Sequence, residues 1–207
     1  MWFDSDFSLS KHVQCICRSC FVQLRDFRRV RQYLSTDVSV LVANALISSR
    51  LDYCNSLFRS LSKLNLRKLQ SIQNCAARIV TNTRKFSSIT PVLKRLHWLP
   101  VEYRSVFKTA TLVYKFLHSG IPQYFDPYLQ PYSSGYNTRR SKKEGKYLTV
   151  PQFQTSIHRS VKQFASSFAY DAPTLWNELP DEVRASPTLG IFRRKLKAYL
   201  FNKAYPP

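Results

Sequence analysis

The sequence predicts a mainly α-helical fold, a helical bundle followed by a proline-broken helical extension with little strand. Three observations predict it. Apolar residues recur at three- and four-residue spacing through long segments, capping residues stand ahead of those segments, and only four glycines occur in 207 residues. The hydrophobic share of 44% is enough to bury a core, and the 14% of aromatic residues argues against disorder. Prolines then break the helical pattern in the second half.

At the start, Trp2-Phe3 reads as the tail of a strand closed by the Asp4-Ser5-Asp6 turn, an opening expected of the back part of something larger. Ser8 and Ser10 are candidate N-caps for a helix to about Val30. At 100° per residue, Val13, Ile16, Cys17, Cys20, Leu24 and Phe27 share one face, with Arg18, Arg25 and Arg29 opposite. Ser35-Thr36-Asp37 is a capping cluster for a second helix to roughly Phe58, with Val38, Leu41, Val42, Ala45 and Leu46 as its apolar set, extended by Leu51 and Leu57.

A third helix, about Leu64 to Val80, buries Leu69, Ile72, Ala76, Ile79 and Val80. Its polar stripe of Arg67, Ser71, Asn74 and Arg78 is about 16 Å long at 1.5 Å per residue. Thr90 caps and Pro91 opens a short helix through Leu96. Trp98-Leu99-Pro100 closes it, and a longer helix runs from Val101 to His118, ended by Gly120. From Ile121 to about Pro151, Pro122, Pro127, Pro131 and Ser133-Ser134-Gly135 mark a linker holding Arg139-Arg140-Ser141-Lys142-Lys143. Tyr147-Leu148-Thr149-Val150 reads as a short strand. Val161 to Tyr199 reads as short helices broken at Pro173, Pro180 and Pro187, the last carrying Arg193, Arg194, Lys195 and Lys197.

Charge is the strongest functional signal. The net charge is +20, from 32 basic and 12 acidic residues. The stretch Arg59 to Arg95 holds nine Lys/Arg and no Asp or Glu, threaded through a helical apolar pattern. A folded surface of one sign calls for a polyanionic partner, nucleic acid first, the plainer alternative being a solvated basic face. The candidate nucleic-acid-binding residues are Arg18, Arg25, Arg29, Arg67, Lys68, Arg78, Arg84 and Lys85, with Arg139, Arg140, Lys142 and Lys143 in the linker. No export signal and no membrane-length apolar run is present, and the five cysteines are an odd number. These features predict free thiols and an intracellular protein of nucleus or cytoplasm, with no membrane partner.

Catalytic patterns are missing. There is no Gly-x-Ser-x-Gly elbow, no His-Glu-x-x-His helix and no phosphate-cradling glycine loop. Two-metal chemistry needs clustered carboxylates, and no Asp-Asp pair occurs. His12, Cys15, Cys17 and Cys20 are the one cluster of metal-ligand types, and on a helix they point too far apart to meet one tetrahedral ion. The residues predict no metal, no cofactor and no enzyme activity of the chain on its own. A second reading is a protein–protein scaffold built on the aromatic second half, with Trp98 and Trp176, although such residues serve more often as core.

Five strings occur together in order. They are Trp2-Phe3-Asp4-Ser5, Ser49-Arg50-Leu51-Asp52-Tyr53-Cys54-Asn55-Ser56-Leu57 and Lys68-Leu69-Gln70-Ser71-Ile72-Gln73-Asn74-Cys75-Ala76-Ala77-Arg78. With them come Ile89-Thr90-Pro91-Val92-Leu93-Lys94-Arg95-Leu96-His97-Trp98-Leu99-Pro100-Val101 and Ala172-Pro173-Thr174-Leu175-Trp176-Asn177-Glu178-Leu179-Pro180. Together they resemble the C-terminal part of the reverse transcriptase of animal non-LTR (LINE) retrotransposons of the jockey-like type. The resemblance implies the end of the palm and a helical thumb over residues 1–88 and a C-terminal extension over 89–207. In that family the palm with its metal-binding aspartates and the endonuclease lie upstream of the matched part. The resemblance therefore implies a catalytically incomplete RNA-directed DNA polymerase that keeps the thumb's grip on an RNA or RNA–DNA template–primer, with other retroelement proteins as further partners. A decayed element with no selected function is the remaining alternative.

Overall fold

The computed structural model describes residues 9–132, 147–152 and 167–206. Helix α1 (Ser10–Val30) runs into a 3-10 turn at Arg31–Tyr33, and α2 (Thr36–Ala43) passes through a π-helical turn, Asn44–Ser48, into α3 (Ser49–Asp52). After a 3-10 segment at Asn55–Ser60 come α4 (Lys63–Thr81), α5 (Thr90–Arg95) and α6 (Val101–Ser119). A 3-10 turn at Gln123–Phe125 precedes α7 (Phe168–Glu178), α8 (Asp181–Arg184) and α9 (Leu189–Ala204). The fold is mainly α, as the periodicity predicts. The strand expected at Tyr147–Val150 reduces to one antiparallel bridge between Leu148 and Pro131, the only such pairing among the described residues.

Local chemistry explains most boundaries. The Ser35 hydroxyl accepts from the Val38 N–H at 3.3 Å and caps α2, and the Ser62 hydroxyl accepts from the Asn65 N–H at 3.3 Å and caps α4. Gly120, at φ 66°, ends α6 as expected. Other expectations need correction. Ser10 is the first residue of α1, preceded by the left-handed Leu9, so it is not the cap. Thr90 is likewise the first residue of α5, after Ile89. Pro173 does not break α7 but lies inside it, where its missing N–H removes one helical hydrogen bond and its ring is buried. The second helix does not reach Phe58. Leu51 is buried as expected, together with Ala43 and Ile47, whereas Val38 and Leu41, ahead of the π-helical turn, lie on the exposed side of α2. The chain leaves the helix at Tyr53, which is extended at ψ 115°, and then turns at Cys54, left-handed at φ 53°.

The chain forms two compact units, residues Met1–Ser105 with Asn202–Pro207, and Val106–Phe201. In the first, α1 packs against α4. Near their starts the Asn65 amide donates to the Ser10 hydroxyl at 3.2 Å. At their ends Arg31 donates from Nε to the Ile79 and Val80 carbonyls at 3.1 Å and from Nη2 to the Val80 carbonyl at 2.8 Å. The two helices therefore run parallel, and the Arg31 cation caps the C-terminus of α4, where free carbonyls and the helix dipole favour it.

The turn from α5 into α6 is tied to α4 as well. Gln73 Nε2 donates to the Leu99 carbonyl at 2.8 Å, and Gln70 Oε1 accepts from the Val101 N–H at 2.9 Å. The Tyr205 hydroxyl donates to the Trp98 carbonyl at 2.8 Å. These bonds all lie within the first unit, which includes α6 as far as Ser105.

In the second unit Tyr114 stacks on Phe192 with ring centres 4.2 Å apart and donates to the Ser186 carbonyl at 2.7 Å. Trp176 packs on the same Phe192, and the Asn177 amide pairs with both the N–H and the carbonyl of Leu148. Trp98 and Trp176 are both buried. Among the described residues no helix is long and apolar enough to cross a membrane.

Candidate nucleic-acid interface

Helix α1 buries His12, Val13, Ile16, Cys20, Leu24 and Phe27. Its 3.6-residue period then forces Arg18, Arg25 and Arg29 outward, and all three are exposed. Arg18 makes no hydrogen bond or ion pair among the described residues. Arg25 and Arg29 both approach Asp26, at 3.7 and 3.8 Å, in exposed pairs that water screens. Lys11 continues the same stripe one seven-residue step earlier and is exposed too. Sequence reasoning missed it, although the spacing from Arg18 to Arg25, carried backward, points to it.

On α4 the buried set is Asn65, Leu69, Ile72, Gln73, Ala76, Ala77, Ile79 and Val80, which includes every residue expected there. Arg67 and Ser71 are exposed, and Asn74 and Arg78 are half-buried on the same stripe. Lys68 is exposed on the flank, with Nζ 3.4 Å from Asn65 Oδ1. Arg78 has a double life. Its Nη2 donates to the Ser87 carbonyl at 3.1 Å, so it holds the loop that carries the exposed Arg84 and Lys85, and its Nε is buried with no hydrogen-bond partner. The loop leaves α4 through Asn82, left-handed at φ 52°, a conformation asparagine tolerates. Arg139, Arg140, Lys142 and Lys143 lie outside the described residues.

The structure separates cations that face solvent from cations that build the fold. Arg31 caps α4, Arg50 donates to the Ser19 hydroxyl, Arg104 binds Asp52 through two hydrogen bonds, and Arg184 pairs with Asp181 beneath the Tyr147 ring. None of these four is among the expected site residues. Along α1 from Arg18 to Arg29, and along α4 from Arg67 to Arg78, each stripe covers eleven residue steps, about 16 Å. They lie on parallel helices of one unit, and the second belongs to a run with no carboxylate.

His12, Cys15, Cys17 and Cys20 do not form a metal site. Among the described residues no three His, Cys, Asp or Glu side chains gather so as to hold an ion. Burial raises the Cys17 thiol and pushes Cys20 up to about 11, which keeps both protonated and poor as ligands. Burial also lowers the His12 imidazole, which sits near the Phe58 ring. The candidate residues on α1 and α4 are thus exposed cations on two parallel helices, apart from the half-buried Arg78. No protein-family model matches the chain, and no curated protein or solved structure matches it.

Proposed function

We propose that this chain is the thumb-like and C-terminal part of a non-LTR retrotransposon reverse transcriptase, and that its first unit holds a template–primer duplex by its phosphates. The observation that carries the reading is the pair of parallel helices, α1 with Arg18, Arg25 and Arg29 exposed and α4 with Arg67 and Lys68 exposed. The five matched strings support the same reading from the sequence side. Arginine suits the role because its planar fork can take two phosphate oxygens at once. Contacts to backbone phosphates carry no base information, so binding is independent of sequence and steep in salt. The chain holds and does not polymerise, since the aspartates that bind catalytic metal in this family have no counterpart in it.

Mobility-shift titration of an RNA–DNA duplex over a range of sodium chloride tests this. Affinity falls linearly in log–log form, and R67E/K68E makes the slope shallower by about 2. Arg67 and Lys68 are chosen over Arg78 because Arg78 also holds the loop at Ser87. No binding at low salt, or binding indifferent to salt, overturns the reading. Primer extension with Mg²⁺ and nucleotides gives no product, and any activity that follows the pure chain overturns its non-enzymatic part.

A further inference from the structure

A second acid-free run, Val183 to Pro207, contains six Lys/Arg and includes all of α9. Within the second unit, α9 turns Phe192, Leu196 and Leu200 into the core, at 0%, 0% and 2% exposure. The helical period then places Arg193, Arg194, Lys195 and Lys197 on the outside, and all four are exposed. Lys195 is anchored, donating to the Glu182 carbonyl at 3.0 Å. Arg193, Arg194 and Lys197 have no ion pair among the described residues. The Arg193 guanidinium lies 5.9 Å from the centre of the Phe107 ring, so α9 meets α6 one residue before Lys108. Lys108 and Lys115 are both exposed, two turns apart, on a part of α6 that has no carboxylate after Glu102.

We infer that the second unit carries its own phosphate-binding face, formed by Arg193, Arg194 and Lys197 with Lys108 and Lys115. It takes a further stretch of nucleic-acid backbone, independently of α1 and α4. Three chemistries compete for such a face, and the side chains between the charges decide among them. A helix that binds a lipid surface keeps an apolar face free to enter it. Here Phe192, Leu196 and Leu200 of α9 are buried, Leu189, Ile191, Tyr199 and Phe201 are half-buried, and no large hydrophobic residue of α9 is among the exposed ones. A protein partner needs an exposed aromatic or aliphatic anchor at the centre of the contact, and neither Phe107 of α6 nor any large hydrophobic residue of α9 is exposed. Unpaired cations without an anchor match a regularly spaced polyanion, whose binding gains from released counterions.

The test uses the full chain and an RNA–DNA duplex with a long single-stranded RNA overhang. R194E/K197E weakens binding about tenfold or more near 0.15 M salt and makes the log–log salt slope shallower by about 2. R194Q/K197Q, which removes the charges without adding new ones, gives the same change in slope should the reversal disturb folding. Unchanged affinity and slope in both variants overturn the proposal. Capture by phosphatidylserine vesicles that R194E/K197E abolishes, with nucleic-acid binding unchanged, overturns it in favour of a membrane. Loss of binding in R194E/K197E alone, with R67E/K68E silent, upholds this face and removes the thumb-like reading of α1 and α4. The reverse pattern removes this face and leaves that reading standing.

Discussion

The guanidinium of Arg31 donates to the carbonyls of Leu34, Ile79 and Val80, whereas that of Arg67 stands in solvent. Removing the first leaves carbonyls at the end of α4 without their charged donor. Arg31→Gln therefore destabilises the fold by about 2 kcal/mol, since hydrogen bonds to a charged group carry about 1.5–3 kcal/mol. Arg67→Gln stays within about 0.5 kcal/mol, and denaturant midpoints compare the two. His12 gives a pH prediction. It is buried, its Nε2 has no hydrogen-bond partner, and burial lowers its pKa from 6.5. The unfolded chain takes up a proton near 6.5 and the folded chain resists it, so the stability is complete above that pH and is lost as the pH falls below it. His12→Phe flattens this dependence, seen as denaturant midpoints that no longer fall on acidification. From the sequence His12 reads as a metal-type residue beside three cysteines, because the packing of Phe58 against it is not a local property.

The elements show the same division on a larger scale. The faces of α1 and α4 are legible from spacing, since i, i+3 and i+4 neighbours share a side wherever the helix sits. The end of the second helix is not legible, as Thr36 to Phe58 contains no glycine or proline. It ends because Asp52, at the end of α3, is held by Arg104 and by the Asn55 amide, and the chain turns at Cys54. That turn puts a non-glycine residue in the left-handed region, at a cost of about 1 kcal/mol. Cys54 is exposed, so its side chain contributes little packing. Cys54→Gly raises the unfolding free energy by about 0.5–1 kcal/mol in urea titration, and an unchanged or lowered value shows that the turn is unstrained.

Over the whole molecule a charge of +20 acts against compactness. Added salt screens that repulsion, so Tm rises as sodium chloride is raised from low ionic strength to about 0.15 M, where the Debye length is about 8 Å. An RNA–DNA duplex added at low salt raises Tm further, because it binds the folded chain, and the gain shrinks as salt is added. Scanning calorimetry along both axes checks this, and a duplex without effect at low salt counts against the binding proposals.

By itself the sequence determined the helical class, the buried face of α1 apart from His12 and Cys17, the expected core residues of α4, and the excess of positive charge. These follow from residue type and short-range spacing, which persist whatever the chain packs against. The tertiary structure alone decided which cations stay free, where the second helix ends and where the units divide. Arg31 meets its carbonyls 48 and 49 residues away, and Arg104 meets Asp52 across 52 residues. No local pattern records such partners, because they exist only once the intervening helices have folded past one another.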